Sequence, residues 1–342
     1  MIKISDIAAE LELSRVTVSA ILNDRYKKLG ISEKTAQRVL AQAVTMGYVP
    51  NQNALSMRTG RSLTIGMLSS SLSEDWGAKI LVGALRAIQS TQYLLRVEAV
   101  QGAEEERGAL ERLLKSRIEG LFCCNINPPS ETDEFFKLST ERYGGAVAST
   151  NCSLSFPHTR IETDNSTAVM SLMEHLVGLG HRQIAHIGGD RSSGVSRERS
   201  EAFLRAVEHF NLKLDECPVR FSDWELDQAR TTARQLLEFS KPPTAILCVN
   251  DTIAACVLQV ANELNLKVPS ELSVVGITNE HMSQLTVPSL TTVAIPCEEI
   301  GHTGMLALID LIESKREIAT QEITRYPCTP IFRDSSAAAR SL

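Results

Sequence analysis

Residues 10–24 read ELELSRVTVSAILND, and this stretch decides the fold of the N-terminal region. Ser14 is a favourable N-cap, so the pattern predicts the end of one helix, a tight turn, and a second helix that begins at Ser14. Val18, Ile21 and Leu22 recur at helical spacing and form an apolar stripe that faces a core. The opposite face carries Arg15, Val16, Ser19, Ala20 and Asn23.

Two further helices complete a small N-terminal head. Ser5 is predicted to cap the first helix, and Ser32 to cap a third that ends at Gly47. In a helix-turn-helix, the second helix lies in the major groove of DNA with its early residues facing base edges. The face opposite the apolar stripe is therefore a candidate DNA-reading surface.

The charge of the chain is unevenly distributed. Residues 1–62 hold nine Lys and Arg against five Asp and Glu, although the formal net charge of all 342 residues is −6. A small basic region on an acidic body is typical of a nucleic-acid-binding module joined to a separate folded unit. Chance variation is the alternative on charge alone, and the order of the helices argues against it.

Composition indicates a folded protein of two or three domains, with 43% apolar and 22% charged residues. No apolar run approaches the roughly 18 residues of a membrane span, and the N-terminus lacks the order of a signal peptide. We therefore expect a cytoplasmic protein. The eight cysteines show no CxxC or Cys/His ligand spacing, so we expect reduced core cysteines and no metal or cofactor.

From residue 63 onward, strands alternate with helices. The segments LTIGML, LLRVEAV and GLFCCNI form one series of strands, and QIAHIGG, TAILCVN and LSVVGIT form a second. Such alternation predicts parallel sheets covered by helices. Two doubly wound units joined by several crossings place a ligand cleft at the carboxyl ends of the strands.

Enzymatic signatures are missing from the sequence, which contains no GxSxG, HExxH, Walker A or EF-hand spacing. Two alternatives from other classes stay open. A transport-type sugar-binding protein needs a signal peptide and no basic head. An α/β enzyme with an appended DNA-binding head needs a catalytic constellation.

Long segments of the chain resemble the LacI/GalR (lactose-repressor) family of bacterial transcription regulators. They are IKISDIAAELELSRVTVSAILND, ISEKTAQRVLAQAVTMGYVPNQNALSMRTGRSLTIGML, HLVGLGHRQIAHIGG, TAILCVND, VPSELSVVGI and PSLTTVAIP. The resemblance implies a helix-turn-helix head that is all α (1–48), a hinge helix and linker (49–62), and a periplasmic-binding-protein-like α/β core (63–342). Its two doubly wound lobes are expected at about 63–163 plus 291–322, and at about 164–290 plus 323–334.

The resemblance also implies which residues contact DNA. Base contacts are expected from Arg15, Val16 and Ala20. Contacts mainly to the phosphate backbone are expected from Thr17, Ser19, Asn23, Ser32 and Tyr48, with Asn51 added from the linker. Arginine pairs bidentately with guanine, and the methyl groups of valine and alanine contact the thymine methyl.

A hinge helix at residues 53–57 is implied to form on DNA, with Met57 inserted into the central minor-groove step. An ordinary flexible linker is the alternative. Two residues depart from the family pattern: Ala20 stands where relatives usually have Arg, and Glu12 where the turn usually has Gly. We therefore expect an altered operator, and either a turn residue outside the left-handed region or a slightly reshaped turn.

Polar and aromatic residues that follow the predicted strands are candidate effector ligands. They are Ser70, Trp76, Arg199, Trp224, Asn250 and Thr278. Arg and Asn donate directed hydrogen bonds, and a tryptophan face suits the C–H side of a sugar ring. A helix cap for Asn250, a core position for Trp224 and a surface ion pair for Arg199 are the alternatives.

Two changes weaken the usual set of hydroxyl-binding residues: Thr278 replaces a common Asp, and Ile295 replaces a frequent polar residue. The implied function is nevertheless that of a repressor which binds a palindromic operator as a homodimer. Its small-molecule effector is expected to be a sugar or sugar derivative, and regulation by a non-sugar effector is the alternative.

Overall fold

The computed structural model describes residues 2–23, 25–49, 60–143, 145–316, 318 and 320–340. The chain divides into two compact units, Met1–Ser62 and Leu63–Leu342. None of the helices in these described ranges is long and apolar enough to cross a membrane.

The first unit is built from α1 (Ile4–Glu10), α2 (Arg15–Leu22) and α3 (Glu33–Thr45), with one 3₁₀ turn at Lys27–Leu29. Apolar residues of all three helices share one core. Its buried members are Ile7, Ala8, Val18, Ile21, Tyr26, Ala36, Val39 and Ala43. The predicted stripe on α2 is confirmed, because Val18 and Ile21 are buried and Leu22 packs at the edge of this core.

Serine side chains cap the N-termini of two of these helices, as the sequence predicts. Ser14 Oγ accepts the N–H of Thr17 at 3.0 Å, and Ser32 Oγ accepts the N–H of Thr35 at 3.2 Å. Each cap satisfies one of the backbone donors that a helix leaves unpaired in its first turn. Gly47 follows the end of α3 with φ 67°, in the left-handed conformation that closes a helix.

Two predictions about the first unit are wrong. Ser5 does not cap α1; the N-cap is Lys3, two residues earlier, and an Asp6 carboxylate oxygen accepts its N–H at 2.9 Å. Glu12 does not lie outside the left-handed region, because its φ is 54°. The turn before α2 therefore places a residue with a side chain in the left-handed region, at a conformational cost of about 1–2 kcal/mol.

The second unit contains twelve strands and eight helices within the described residues. The strands are β1 (Thr64–Ser69), β2 (Leu94–Ala99), β3 (Gly120–Cys124), β4 (Ala146–Thr150), β5 (Thr159–Thr163), β6 (Ile184–Gly188), β7 (Val219–Phe221), β8 (Ala245–Cys248), β9 (Ser273–Val275), β10 (Thr292–Ala294), β11 (Glu322–Tyr326) and β12 (Thr329–Ile331). The helices are α4 (Asp75–Ile88), α5 (Ala103–Lys115), α6 (Ser130–Tyr143), α7 (Asn165–Gly178), α8 (Gly194–His209), α9 (Leu226–Leu237), α10 (Asp251–Glu263) and α11 (Cys297–Ser314). Short 3₁₀ turns lie at Leu214–Glu216 and His281–Gln284.

Six parallel strands form the sheet of the first lobe, in the order β11-β5-β4-β3-β1-β2. Ile65 of β1 lies opposite Leu95 of β2 and, on its other side, opposite Gly120 of β3. The central strand β3 is buried along its whole length, as expected of a parallel strand covered by helices on both faces.

The second lobe has a parallel sheet in the order β7-β6-β8-β9 and an antiparallel pair, β10 with β12. A bridge from Val275 to Thr291 joins this pair to the end of β9. The resulting fold, an all-α first unit and two doubly wound α/β lobes, is the predicted fold class.

Strand pairing locates two of the crossings between the lobes. The strand β10 belongs to the second lobe, so the chain crosses after Ala294, where a crossing was expected near Leu290. The strand β11 pairs with β5 of the first lobe, so the next crossing follows Tyr326, where one was expected near Ile323. Strand pairing decides both positions, and apolar pattern alone does not show which sheet a short strand joins.

Close helix packing in the first lobe depends on glycine. A Cβ atom at Gly83 of α4 would lie 1.9 Å from the carbonyl oxygen of Glu298, and one at Gly301 of α11 would lie 2.0 Å from that of Ile80. The two helices therefore approach each other through their backbones, and a side chain at either glycine would force them apart.

Candidate functional site

The exposed face of α2 presents the predicted DNA-reading residues at its start. Arg15 is exposed, and Val16 leaves 72% of its surface accessible. The Thr17 hydroxyl lies 2.8 Å from Ser14 Oγ at the cap, and Ser19 is half-buried. An arginine beside an exposed methyl-bearing residue at a helix start can read a guanine and a neighbouring thymine.

Ala20 does not share this exposure, because only 2% of its surface is accessible. The chain after α2 turns back over the helix end, where the N–H of Arg25 donates to the Ala20 carbonyl oxygen at 2.9 Å. This burial does not favour a base contact by the Ala20 methyl group. Asn23 lies nearby, and its side-chain amide donates to the carbonyl oxygen of Ser19.

The remaining predicted DNA contacts lie outside α2. Ser32 is exposed at the start of α3, and Tyr48 is half-buried against the core of the first unit. Asn51, Met57 and the predicted hinge at residues 53–57 lie outside the described residues.

The second unit contains a cavity of about 650 Å³ between its two lobes. Its walls carry all six residues predicted to bind an effector: Ser70, Trp76, Arg199, Trp224, Asn250 and Thr278. The carboxyl ends of parallel strands meet here, which is the usual place for a ligand in doubly wound folds.

Arg199 is held in the second-lobe wall of this cavity. Only 4% of the residue is exposed; its Nε donates to Asn165 Oδ1 at 2.8 Å and Nη1 donates to the carbonyl oxygen of Val249 at 2.6 Å. Burial lowers the pKa of Arg199 to about 10, so the guanidinium is still charged at neutral pH. Because Arg199 is buried and donates to two neutral oxygens, it does not fit the surface ion-pair alternative.

Asn250 both lines the cavity and caps α10. Its Oδ1 accepts the N–H of Ile253 at 2.9 Å, which leaves the amide N–H groups for a ligand. The next residue, Asp251, is fully buried; it accepts the Thr292 hydroxyl at 2.5 Å and the N–H of Glu280 at 2.8 Å. Burial raises the pKa of Asp251 to about 6.

The two tryptophans lie on opposite lobes. Trp224 is 37% exposed, and its ring covers Gly189 so closely that a Cβ there would lie 2.4 Å from the ring. Trp224 is therefore not a core residue. Trp76 lies half-buried in the first turn of α4. Both rings line the cavity and offer apolar surface to a ring-shaped ligand.

Ser70 and Thr278 have local partners. Asn125 Nδ2 donates to Ser70 Oγ at 3.0 Å, and the N–H of Thr278 donates to the Val293 carbonyl oxygen at 2.8 Å. The Thr278 hydroxyl donates to the carbonyl oxygen of Ile277, and φ of Thr278 is 122°. The Thr278 side chain is thus held by a neighbouring backbone carbonyl. It offers a ligand fewer hydrogen-bond acceptors than a free carboxylate would.

Several cavity residues were not predicted from the sequence. Asn125 follows β3, Thr150 is the last residue of β4, and Asn151 follows it, so the rule that placed Ser70 at a strand end would also have found them. Glu106 lies within a helix, where the sequence contains no signal for it.

Comparison with known proteins places this geometry in a family. A model described as the periplasmic binding protein-like domain matches residues 173–336. The chain is 25% identical over 337 residues to the HTH-type transcriptional repressor CytR of Escherichia coli (strain K12), covering 97% of this chain and 96% of that protein. It is 28% identical over 334 residues to the repressor PurR of Salmonella arizonae, covering 96% and 95%.

Solved structures agree along the whole length. The Lac repressor dimer bound to operator and the anti-inducer ONPF matches with a TM-score of 0.83 and 25% identity, over 98% of this chain and 99% of that chain. Over nearly its whole length the chain resembles the LacI/GalR family. The regulator CelR, solved with cellobiose, matches this LacI/GalR fold with a TM-score of 0.73 and 21% identity, over 98% and 100%.

The LacI/GalR relatives are transcriptional repressors and not enzymes. This chain resembles these repressors over nearly its whole length. Its exposed α2 and its interlobe cavity are the two surfaces that a repressor of this kind would use.

Proposed function

We propose that this LacI/GalR regulator is a cytoplasmic repressor that binds a palindromic operator as a homodimer and is controlled by a sugar-like effector. One observation carries the proposal: the same chain holds an exposed Arg15–Val16 pair at the start of α2 and a polar interlobe cavity of about 650 Å³. The first feature suits DNA reading, and the second suits a small ligand.

In this proposal Arg15 reads a guanine and Val16 contacts a thymine methyl in each half-site. Thr17, Ser19, Asn23, Ser32, Tyr48 and Asn51 hold the sugar–phosphate backbone. Residues 53–57 form the hinge helix, and Met57 inserts into the central minor-groove step, so that part of the specificity comes from the energy of bending DNA.

Residues 1–48 serve as the head, 49–62 as the linker and 63–342 as the effector core. The effector binds differently to two arrangements of the lobes, and this difference biases whether two hinge helices can pair on DNA. Tight binding alone would not change the affinity for the operator, because only differential binding shifts an equilibrium.

The sugar class is supported by the cavity itself. Arg199 and Asn250 supply donors for ring hydroxyls, and Trp76 and Trp224 supply apolar faces for the C–H side of a ring. The cellobiose-bound relative CelR has the same fold.

Selection of binding sequences from random DNA with the purified full-length chain tests the proposal. We expect a palindrome with two half-sites. Arg15→Ala should lose discrimination at one position of each half-site, by about 1–3 kcal/mol. Arg38→Ala, which removes an exposed arginine from α3, is the matched control and should keep the base preference.

Two results would contradict this reading. If Arg15→Ala selects the same sequences as wild type, Arg15 is not a base-reading residue. If the wild-type chain enriches no palindrome with or without added sugars, the dimeric repressor proposal fails.

A further inference from the structure

A buried carboxyl group lines the effector cavity. Glu106 lies in the first turn of α5 with only 2% of its surface exposed. Its Oε1 accepts the N–H of Asn127 at 3.2 Å, whereas its Oε2 has no hydrogen-bond partner among the described residues. A buried carboxylate oxygen without a partner is costly, since burial removes the water that would otherwise hydrate it.

Two other buried oxygens without partners line the same wall of the first lobe. They are Thr150 Oγ1 and Asn151 Oδ1, each at the carboxyl end of β4. Because nearly all buried polar atoms of folded proteins are paired, three unpaired oxygens around one cavity point to polar groups on a bound molecule. The carboxylate oxygen of Glu106 and the amide oxygen of Asn151 require donors, whereas the Thr150 hydroxyl can donate or accept. The first-lobe wall therefore suits a ligand face that is rich in N–H or O–H groups.

The charges around the cavity are unbalanced toward the acidic side. The described lining residues include the carboxyl groups of Glu74, Glu106 and Asp190, with Arg199 as the cation. Arg199 belongs to the opposite lobe and already donates to Asn165 and Val249. A positive group on the ligand would stabilise the buried carboxylate of Glu106 more strongly than a neutral hydroxyl group would.

We propose that Glu106 binds a protonated amine of the effector and that the effector is therefore an amino sugar. This inference rests on the proposed function, in which the cavity holds a sugar-like ligand. Glu106 is then the residue that determines specificity for the amine, and Thr150 and Asn151 accept neighbouring hydroxyl groups.

Burial raises the pKa of Glu106 to about 7, and the hydrogen bond from Asn127 opposes this rise. The facing titratable group on β3 is the Cys123 thiol, whose pKa burial raises well above its usual value, so it stays neutral. Because a cation binds the ionised carboxylate, affinity for an amine that stays protonated should increase between pH 6 and pH 8. A neutral sugar should show a smaller increase.

Binding calorimetry with matched sugar pairs tests the inference. The probes are glucose, galactose and mannose with their 2-amino-2-deoxy and 6-amino-6-deoxy derivatives. We expect at least one amino sugar to bind about tenfold or more tightly than its parent. Glu106→Gln should remove that advantage. For the 6-amino-6-deoxy sugars, whose amine stays protonated between pH 6 and pH 8, it should also flatten the pH dependence. Glu104→Gln, which changes an exposed carboxyl group on the same helix turn, should do neither.

Other outcomes overturn the inference. Parent sugars that bind as tightly as their amino derivatives would show that Glu106 does not select an amine. If no sugar of either kind binds, the ligand class is wrong. Operator selection does not depend on Glu106, so a palindrome found in that experiment would leave the repressor function standing. If Glu106→Gln does not fold, Glu106→Asp supplies the comparison, since it keeps the charge but withdraws it by one methylene.

Discussion

The side chains of Arg199 and Asn165 join α8 to α7 through a hydrogen bond of 2.8 Å beneath the effector cavity. With the bond to Val249, it fixes the guanidinium plane before any ligand arrives. A guanidinium has five N–H donors, so three are left after these two bonds. Because the guanidinium is already held in place, these three N–H groups can bind ligand oxygens at little entropic cost.

Arg199→Lys should therefore destabilise the second unit even though the charge is kept. Lysine cannot reproduce both bonds, so the buried oxygens of Asn165 and Val249 lose their donor, at about 1–3 kcal/mol. Urea unfolding without ligand measures this loss. Arg205→Lys, at an exposed position of the same helix, is the control, and equal effects of the two changes would refute the structural role.

Ala20 should resist enlargement because it is buried. We expect Ala20→Leu to weaken the first unit by about 1–3 kcal/mol through overpacking. Ala9→Leu places the same side chain at an exposed position of α1 and should change little. Amide hydrogen exchange of α2 in the full-length chain reports the difference. If the α2 amides are equally protected from exchange in both variants, the larger side chain at position 20 fits without overpacking the core.

His186 should make stability depend on pH. Its Nδ1 donates to the Leu247 carbonyl oxygen at 2.9 Å, and Nε2 lies 3.2 Å from Ser200 Oγ, which suits a neutral ring. Burial lowers the pKa of His186 from 6.5 to about 4. Between these values the unfolded chain binds more protons than the folded chain, so this contribution is complete above pH 6.5 and is lost as the pH falls toward 4.

The test compares wild type with His186→Asn, which keeps a donor for Leu247 but cannot titrate. The difference in unfolding free energy between them should narrow with falling pH, by up to about 1.4 kcal/mol per pH unit. His209→Asn, at an exposed position of α8, is the matched control. A constant difference from pH 7 to pH 4 would show that buried His186 does not cause the effect.

Gly301 should be intolerant of any side chain. Gly301→Ala places a Cβ against the Ile80 carbonyl oxygen, so α4 and α11 must separate, and we expect a loss of about 1–3 kcal/mol or more. Gly108→Ala on α5 meets only Arg112 Nη1 at 3.6 Å and should stabilise its helix by about 0.5–1 kcal/mol. Thermal unfolding distinguishes the two, and a neutral Gly301→Ala would contradict the close packing.

Local sequence patterns were sufficient to predict much of the secondary structure of this protein. Helix caps at Ser14 and Ser32, the buried stripe on α2, and the alternation of strands and helices follow from side chains that act on their own neighbours. Strand ends also predicted cavity residues such as Ser70, Asn250 and Thr278, since the carboxyl ends of parallel strands converge in doubly wound folds. Family resemblance supported Arg199, which lies within α8.

Other features depended on contacts between residues far apart in the chain. Whether β10 and β11 join one sheet or the other is decided by pairing with β12 and β5. Glu106 reaches the effector cavity because α5 packs against β1 and β2, and the segment after β3 brings the backbone N–H of Asn127 to its carboxyl group. The sequence by itself determined the elements and the family, because those depend on local propensity and motif order. Only the tertiary structure decided the lobe crossings, the burial of Ala20 and the carboxyl group in the cavity, because burial is a property of the assembled fold.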